Sequence, residues 1–115
     1  MDRYNWTEIP EEILNERVGR KMVNTEALTI ARIRLSRGAI VPLHSHVNEQ
    51  VSMVESGVLR FEMGGTEHIL RAGDVLAIPP NLPHLVEALE DSTAIDVFTP
   101  RREDWITGDD SYLRR

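Results

Sequence analysis

Four histidines are the residues of this 115-residue chain that are best suited to metal chemistry. Two lie in His44-Ser45-His46, and because alternate residues of a β-strand point to one face, both imidazoles can reach the same point. Two neighbouring histidines alone are more typical of a polar surface strand than of a metal site. The chain has no cysteine, so any metal must bind imidazole, carboxylate or amide groups.

The surroundings of the histidine pair favour a metal site. Gln50 follows His46 after three residues, and His84 follows much later, behind Pro79-Pro80. The two prolines enforce an extended backbone at the start of the segment that carries His84. His84 can join the first three residues only if the chain folds back on itself, as facing strands of a barrel would allow.

Short segments with alternating apolar and polar residues make up most of the chain, and Gly, Pro or Asn residues separate them. The segments that we predict as strands are 29–35, 50–55, 58–63, 67–70, 74–78, 84–88 and 93–99. Short strands at a spacing of roughly 8–12 residues predict an all-β sandwich or barrel. A helical turn or two is predicted only over residues 10–17, where Pro10 would begin it.

Length and composition predict one globular domain over residues 1–115. The net charge of −6 disfavours nucleic acid and acidic membrane surfaces as partners, but a local pocket can still bind an anion. No apolar segment approaches the ~20 residues of a membrane span. The polar N-terminus carries no signal-peptide pattern, so we expect a cytoplasmic protein. Trp105 and Tyr112 predict that the polar C-terminal tail docks on the domain.

Two segments, 38–57 and 73–88, resemble the signature motifs of the cupin superfamily. The positions that carry the resemblance are Gly38, His44, His46, Gln50 and Gly57 in the first motif, and Gly73, Pro79, Asn81 and His84 in the second. The resemblance implies a small jelly-roll β-barrel with a short N-terminal segment and a docked C-terminal tail. It also implies one divalent metal ion, Zn, Ni, Mn or Fe, on His44, His46, Gln50 and His84.

The chain departs from the cupin pattern at Gln50, Asn81 and Ala88, where the family usually has Glu, Gly and Asn. Asn81 tolerates a left-handed turn nearly as well as glycine. Gln50 can bind a metal through its amide oxygen without adding charge, so the ion should act as a strong Lewis acid and attract anions. Glu49 is an alternative ligand, but it should point to the opposite face of the strand.

The segment from Asp96 to Trp105 is similar to that of the pectin-degradation cupins, and the likeness continues into the tail. Members of that group linearise 4,5-unsaturated monouronates from pectin and alginate to keto-deoxyuronates, an isomerase-like ketonisation. The resemblance implies a catalytic Asp96 and a substrate pocket lined by Phe98 and Arg102, with Arg102 also serving catalysis by gripping the substrate carboxylate in a bidentate manner. Alternation alone allows the opposite arrangement, in which Ile95 and Val97 form the core and Asp96 is solvated. For Phe98, the alternative to a wall of the substrate pocket is an ordinary packing role in the core.

Other cupin activities stay open at the level of sequence. A dioxygenase suits three histidines and an open coordination position. A metal-dependent lyase acting on a small organic acid commonly uses a pocket tyrosine, and the terminal positions of Tyr4 and Tyr112 disfavour it. A non-catalytic sugar-acid sensor would need a separate partner protein. We assign no role to His68, and we expect a homodimer because a small barrel has exposed sheet edges.

Overall fold

The computed structural model describes residues Met1–Arg115 and contains ten β-strands, one α-helical turn and two 3-10 turns. The strands are β1 (Glu12–Asn15), β2 (Val18–Asn24), β3 (Thr29–Leu35), β4 (Ile40–His44), β5 (Glu49–Ser56), β6 (Val58–Met63), β7 (Thr66–Arg71), β8 (Val75–Ile78), β9 (His84–Ala88) and β10 (Ser92–Thr99). The helix α1 spans Glu103–Ile106, and the 3-10 turns span Trp6–Glu8 and Ser111–Leu113.

The strands form two antiparallel sheets that face each other. The larger sheet has the order β1-β2-β3-β10-β5-β8 and the smaller one has the order β4-β9-β6-β7. Gly64 and Gly65 join β6 to β7 in a hairpin in which both residues have positive φ, 54° and 76°. This conformation is readily available to glycine. The all-β prediction and all seven predicted strands are confirmed.

The core lies between the inner faces of the two sheets. In β3, Ile33 and Leu35 are buried, whereas Arg32 and Arg34 lie on the outer face, as the alternation predicted. The smaller sheet contributes Leu59, Phe61 and Val86 to the same core. One shared interior therefore receives side chains from both sheets, and the polar residues on inner-facing positions must project into it.

The predicted helical turn over residues 10–17 is wrong, because this segment contains strand β1. Ile13 pairs with Gly19 of β2 and is exposed, while Leu14 is buried. Pairing with the sheet edge and burial of Leu14 outweigh the weak local preference for helix. Strand β2 was not predicted from the sequence, because its inner face carries the charged Arg20, which is 1% exposed.

The C-terminal tail docks on the domain, as predicted. Trp105 and Leu113 belong to the hydrophobic core. A buried ion pair joins Arg20 of β2 to Asp110 of the tail, with Nη2 and Oδ2 2.9 Å apart. Asn15 Nδ2 also donates to the carbonyl oxygen of Leu113. The structure contains no helix with the length and apolar character needed to cross a membrane.

Candidate active site

The structure brings together the three histidines of the two motifs. His44 ends β4 and is paired in register with His84, the first residue of β9. His46 lies just beyond β4, and one ring nitrogen of each histidine lies within 4.8 Å of the others. Asn81, in the turn before β9, is the one non-glycine residue with positive φ, at 64°, as its place in the motif predicted.

Backbone carbonyls set the orientation of each imidazole. Nδ1 lies 2.8 Å from the Pro42 oxygen in His44, 3.1 Å from the Asn48 oxygen in His46, and 2.8 Å from the Leu82 oxygen in His84. A carbonyl oxygen only accepts, so each Nδ1 carries the hydrogen and Nε2 keeps its lone pair. Metal-binding histidines are usually held in this way. Nε2 of His84 is buried without any hydrogen-bond partner.

Burial favours the neutral form of the same histidines. It lowers the pKa of His44 to about 4; the hydrogen bond to Pro42 raises this pKa in part, and the charges of His84, His46 and Arg102 lower it. Burial, followed by the charge of Arg102, likewise lowers the pKa of His46 to about 4. The pKa of His84 is lowered by burial and by Arg102. Three neutral imidazoles thus offer lone pairs to one point.

Gln50 supplies an oxygen beside these nitrogens. It is buried on the inner face of β5, and its Oε1 lies 3.0 Å from His46 Nε2. Its amide nitrogen donates to Ser52 Oγ at 2.9 Å, which turns the oxygen toward the histidines. Glu49 is exposed, because it lies on the opposite face of the strand.

The four side chains fit a divalent metal ion. Oε1 of Gln50 and Nε2 of His46 both present electron pairs, and this close approach is favourable when a cation lies between them. The buried, unpartnered Nε2 of His84 completes a donor set of imidazole nitrogens and one amide oxygen. Such a set suits zinc and several other divalent transition metals.

Asp96 faces the interior, on the central strand β10. Its neighbours in register are Ala31 of β3 and Ser52 of β5, both fully buried. Ile95 and Val97 lie on the outer face and are only partly buried. The alternative in which these two residues form the core is therefore wrong. The accessible part of Asp96 lines the interior cavity.

The carboxyl group of Asp96 is costly to ionise where it lies. Burial raises the pKa of Asp96 to about 6, although Ser52, Arg102 and Gln50 each lower it in part. Oδ1 has no hydrogen-bond partner. A buried carboxylate oxygen without a hydrogen-bond partner is unfavourable, and a raised pKa in a cavity is typical of residues that move protons.

Arg102 also reaches the cavity, from the residue just before α1. Its Cζ lies 4.8 Å from the ring centre of Phe98 and 4.1 Å from that of Trp105. Nε and Nη2 donate to the carboxylate of Asp104 at 2.9 and 2.7 Å. This differs from the predicted bidentate grip on a substrate, because Asp104 occupies that edge of the guanidinium group.

The structure leaves one nitrogen of Arg102, Nη1, for an anion. Nε and Nη2 make all the hydrogen bonds of this side chain within the protein. Phe98 is 1% exposed and lines the cavity, so it serves both as a packing residue and as a wall of the pocket.

Tyr112 is a pocket residue that the sequence analysis placed away from the site. Its ring stacks on His44, with centroids 4.6 Å apart and an interplanar angle of 29°. Its hydroxyl oxygen accepts from Arg102 Nη2 at 2.7 Å and from Trp105 Nε1 at 3.1 Å. The one sequence signal was a large aromatic residue in a polar tail. Tyr4 is 58% exposed, and His68 lies on β7 outside the histidine cluster.

Apolar side chains form the remaining walls of the cavity, among them Val41, Leu59, Phe61 and Val86. The polar groups that converge on it are His44, Gln50, His84, Asp96, Arg102 and Tyr112. An apolar pocket with a few convergent polar groups is typical of a small-molecule site.

Comparison with known proteins gives concordant matches. Residues 31–98 match the family model described as cupin domain. The pectin degradation protein KdgF of Dickeya dadantii (strain 3937) is 31% identical over 102 residues, which cover 86% of this chain and 93% of that protein.

Two solved structures are similar over nearly the whole chain. KdgF from Halomonas sp. has a TM-score of 0.86 and 30% identity, covering 91% of this chain and 98% of the other. An RmlC-like cupin from Shewanella frigidimarina has a TM-score of 0.84 and 28% identity, covering 89% and 93%.

Proposed function

This chain belongs to the cupin family, within which it resembles pectin-degradation proteins, and we propose that it is a metal-dependent enzyme of pectin or alginate breakdown. Its substrate would be a 4,5-unsaturated monouronate and its product a linear keto-deoxyuronate. The observation that carries the proposal is the unpartnered, buried Oδ1 of Asp96, in the cavity that His44, His84 and Arg102 also line.

Charge favours an anionic substrate in this cavity. His44, His46, His84 and Gln50 would hold a divalent cation, zinc, nickel, manganese or iron, without neutralising it. Once bound, the ion would supply Lewis-acid polarisation of the substrate oxygens. Nη1 of Arg102 adds a second positive group for the uronate carboxylate. The local charge thus opposes the net charge of −6.

Asp96 is the group suited to move the proton in the isomerisation. As a carboxylate it accepts the proton of the anomeric hydroxyl, while the bond from C1 to the ring oxygen breaks and C1 becomes an aldehyde. The electron pair stays on the former ring oxygen, which is now the oxygen of an enolate at C5. Asp96 returns its proton to C4, and the C5 oxygen becomes a ketone. General acid–base catalysis of this kind typically contributes ~10²–10⁴-fold to the rate.

The proposal is tested with purified protein loaded with zinc, nickel, manganese or iron and unsaturated uronates made by a polysaccharide lyase. We expect loss of alkene absorbance with time, and elemental analysis identifies the metal that supports it. Asp96→Ala is expected to keep the metal and lose turnover. Glu49→Gln, on the outer face of β5, is the matched control and should keep both. If unsaturated uronate reacts at the uncatalysed rate in the presence of wild-type protein, the proposed function is wrong.

The position of Tyr112 supports a second candidate. A metal-dependent lyase acting on a small organic acid also uses a pocket tyrosine, and Tyr112 lies against His44 within the cavity. Elimination from a small zwitterionic acid, together with no reaction of unsaturated uronates, would favour this lyase over the isomerase.

A further inference from the structure

The hydroxyl group of Tyr112 has one hydrogen-bonding capacity left. A phenolic oxygen can accept two hydrogen bonds and donate one. Arg102 Nη2 and Trp105 Nε1 both donate to it, at 2.7 and 3.1 Å. The Tyr112 hydrogen itself makes no hydrogen bond to any protein acceptor. Since Tyr112 lines the cavity, a bound ligand can accept that hydrogen.

Rigid partners on three sides hold this hydroxyl in place. The ring of Tyr112 stacks on His44, and Arg102 itself packs against the rings of Phe98 and Trp105. Asp104 holds the outer edge of Arg102 with two further hydrogen bonds. Donors that are positioned before the reaction need no reorganisation as charge develops, which makes them effective in catalysis.

The covalent structure of the proposed substrate indicates which atom Tyr112 would reach. In a 4,5-unsaturated uronate, the carboxylate and the ring oxygen are bonded to the same carbon, C5. If Arg102 binds the carboxylate, the ring oxygen lies beside the groups that contact Arg102. Tyr112 is such a group, at 2.7 Å from Nη2.

Resting on the proposed function, we propose that Tyr112 is a further catalytic residue, whose O–H donates a hydrogen bond to the ring oxygen of the substrate. The bond strengthens as the C1–oxygen bond breaks and the electron pair moves onto that oxygen. Tyr112 keeps its proton throughout, and Asp96 carries out the proton transfer. Tyr112 therefore acts at the ring oxygen, and Asp96 acts at the anomeric hydroxyl and at C4.

The test is steady-state kinetics of Tyr112→Phe on unsaturated uronate. The variant keeps the ring that stacks on His44 and loses only the hydroxyl. We expect kcat to fall about 10²–10³-fold, as on removal of one oxyanion donor, with KM changed less than about threefold. Metal content by elemental analysis should match the wild type. Tyr4→Phe, at an exposed position outside the cavity, should behave as wild type.

A second variant distinguishes the hydrogen bond that Tyr112 donates to the substrate from the support that Tyr112 gives to Arg102. Asp104→Ala removes the other partner of Arg102 and should mainly raise KM, since it weakens the grip on the carboxylate. The proposal is overturned if Tyr112→Phe keeps its kcat, if it shows the KM effect of Asp104→Ala instead, or if it loses the metal. If the wild type is active and Tyr112→Phe is equally active, this inference alone is wrong. If the wild type is inactive, both the proposed function and this inference are wrong.

Discussion

Ser52 determines which atom of the Gln50 amide faces the histidines. Gln50 Nε2 donates to Ser52 Oγ, and both residues are buried. The amide oxygen is thereby directed at His46 Nε2. Ser52 hydrogen-bonds to no candidate ligand of the metal other than Gln50, yet this bond turns the oxygen of Gln50, and not its nitrogen, toward the histidines.

Ser52→Ala is therefore expected to weaken metal binding by roughly 10–100-fold, the usual effect of losing the partner that orients a ligand. The measurement is a competition titration against a chelator of known affinity. Ser56→Ala is the matched control, because Ser56 lies on the same strand but its hydroxyl bonds to Thr93 at an exposed position. Equal metal affinity in Ser52→Ala would show that the amide is oriented by other contacts.

Asp96 is expected to reduce the stability of the metal-free protein at neutral pH. Burial raises the pKa of Asp96 from 3.8 to about 6, so ionisation between these values favours the unfolded chain. The stability contribution of this carboxyl is complete below pH 3.8 and is lost as the pH rises through about 6. Active-site residues commonly carry such a cost.

Asp96→Asn stays neutral at every pH and should be more stable than wild type at pH 8, by up to about 3 kcal/mol. The difference should shrink toward pH 4. The histidines titrate in both proteins, so their contribution largely cancels in the comparison. Urea unfolding of the metal-free proteins at several pH values measures the difference. If Asp96→Asn is less stable than wild type at pH 8, ionised Asp96 does not destabilise the folded protein.

Among the elements, the C-terminal tail has the largest effect on the site, because it supplies Arg102, Trp105 and Tyr112. Arg20 and Asp110, 1% exposed each, fasten it to β2. Arg20 stacks on Trp105 at 4.6 Å from the ring centre, on the tail segment that also contacts Arg102. The position of β2 therefore influences the position of Arg102 in the pocket, through the contacts of Arg20 with Trp105 and of Trp105 with Arg102.

Asp110→Ala removes the buried partner of the Arg20 guanidinium and leaves it only Glu12, whose side chain is 44% exposed, so we expect a cost of up to about 3–5 kcal/mol. We expect that loss in urea unfolding, together with weaker substrate binding as the tail loosens. Asp109→Ala is the control, because Asp109 is exposed and adjacent in sequence. If both variants unfold at the same urea concentration, the Arg20–Asp110 pair does not hold the tail.

For the whole molecule, the outer face of the larger sheet is the surface that we propose for a homodimer. Five apolar residues lie in register across five strands of this face, namely Val23, Ile30, Val97, Val51 and Ala77. Arg32 of β3 and Glu55 of β5 lie beside this row and pair with each other across β10, with Nε and Oε1 3.0 Å apart. A two-fold axis along β10 would place the apolar row of one copy over that of the other.

Wild-type protein is therefore expected to be a dimer at micromolar concentration, and Val97→Lys, at the centre of the apolar row, a folded monomer. Sedimentation equilibrium gives the masses, and circular dichroism shows that the variant is folded. Ile40→Lys, at an exposed apolar position on the smaller sheet, should remain dimeric. A monomeric wild type would show that this face is solvent-exposed in the native protein.

Features that depend on local chain geometry could be predicted from the residues alone. Strand alternation has a period of two, so β3, β5, β6 and β9 are visible in the residues themselves. The same period places His44 and His46 on one face of the chain, and Glu49 and Gln50 on opposite faces of their strand. The positive φ of Asn81 and the glycine hairpin between β6 and β7 are also local properties.

Features that depend on contacts between distant parts of the chain could be read only from the folded protein. Alternation could not tell which face of β10 is the interior, because Asp96 and Phe98 on one side compete with Ile95 and Val97 on the other. The grip of Asp104 on Arg102 and the position of Tyr112 against His44 depend on how the tail packs. Burial of Arg20 is stabilised by Asp110, 90 residues away, and spacing along the chain does not encode such a pairing.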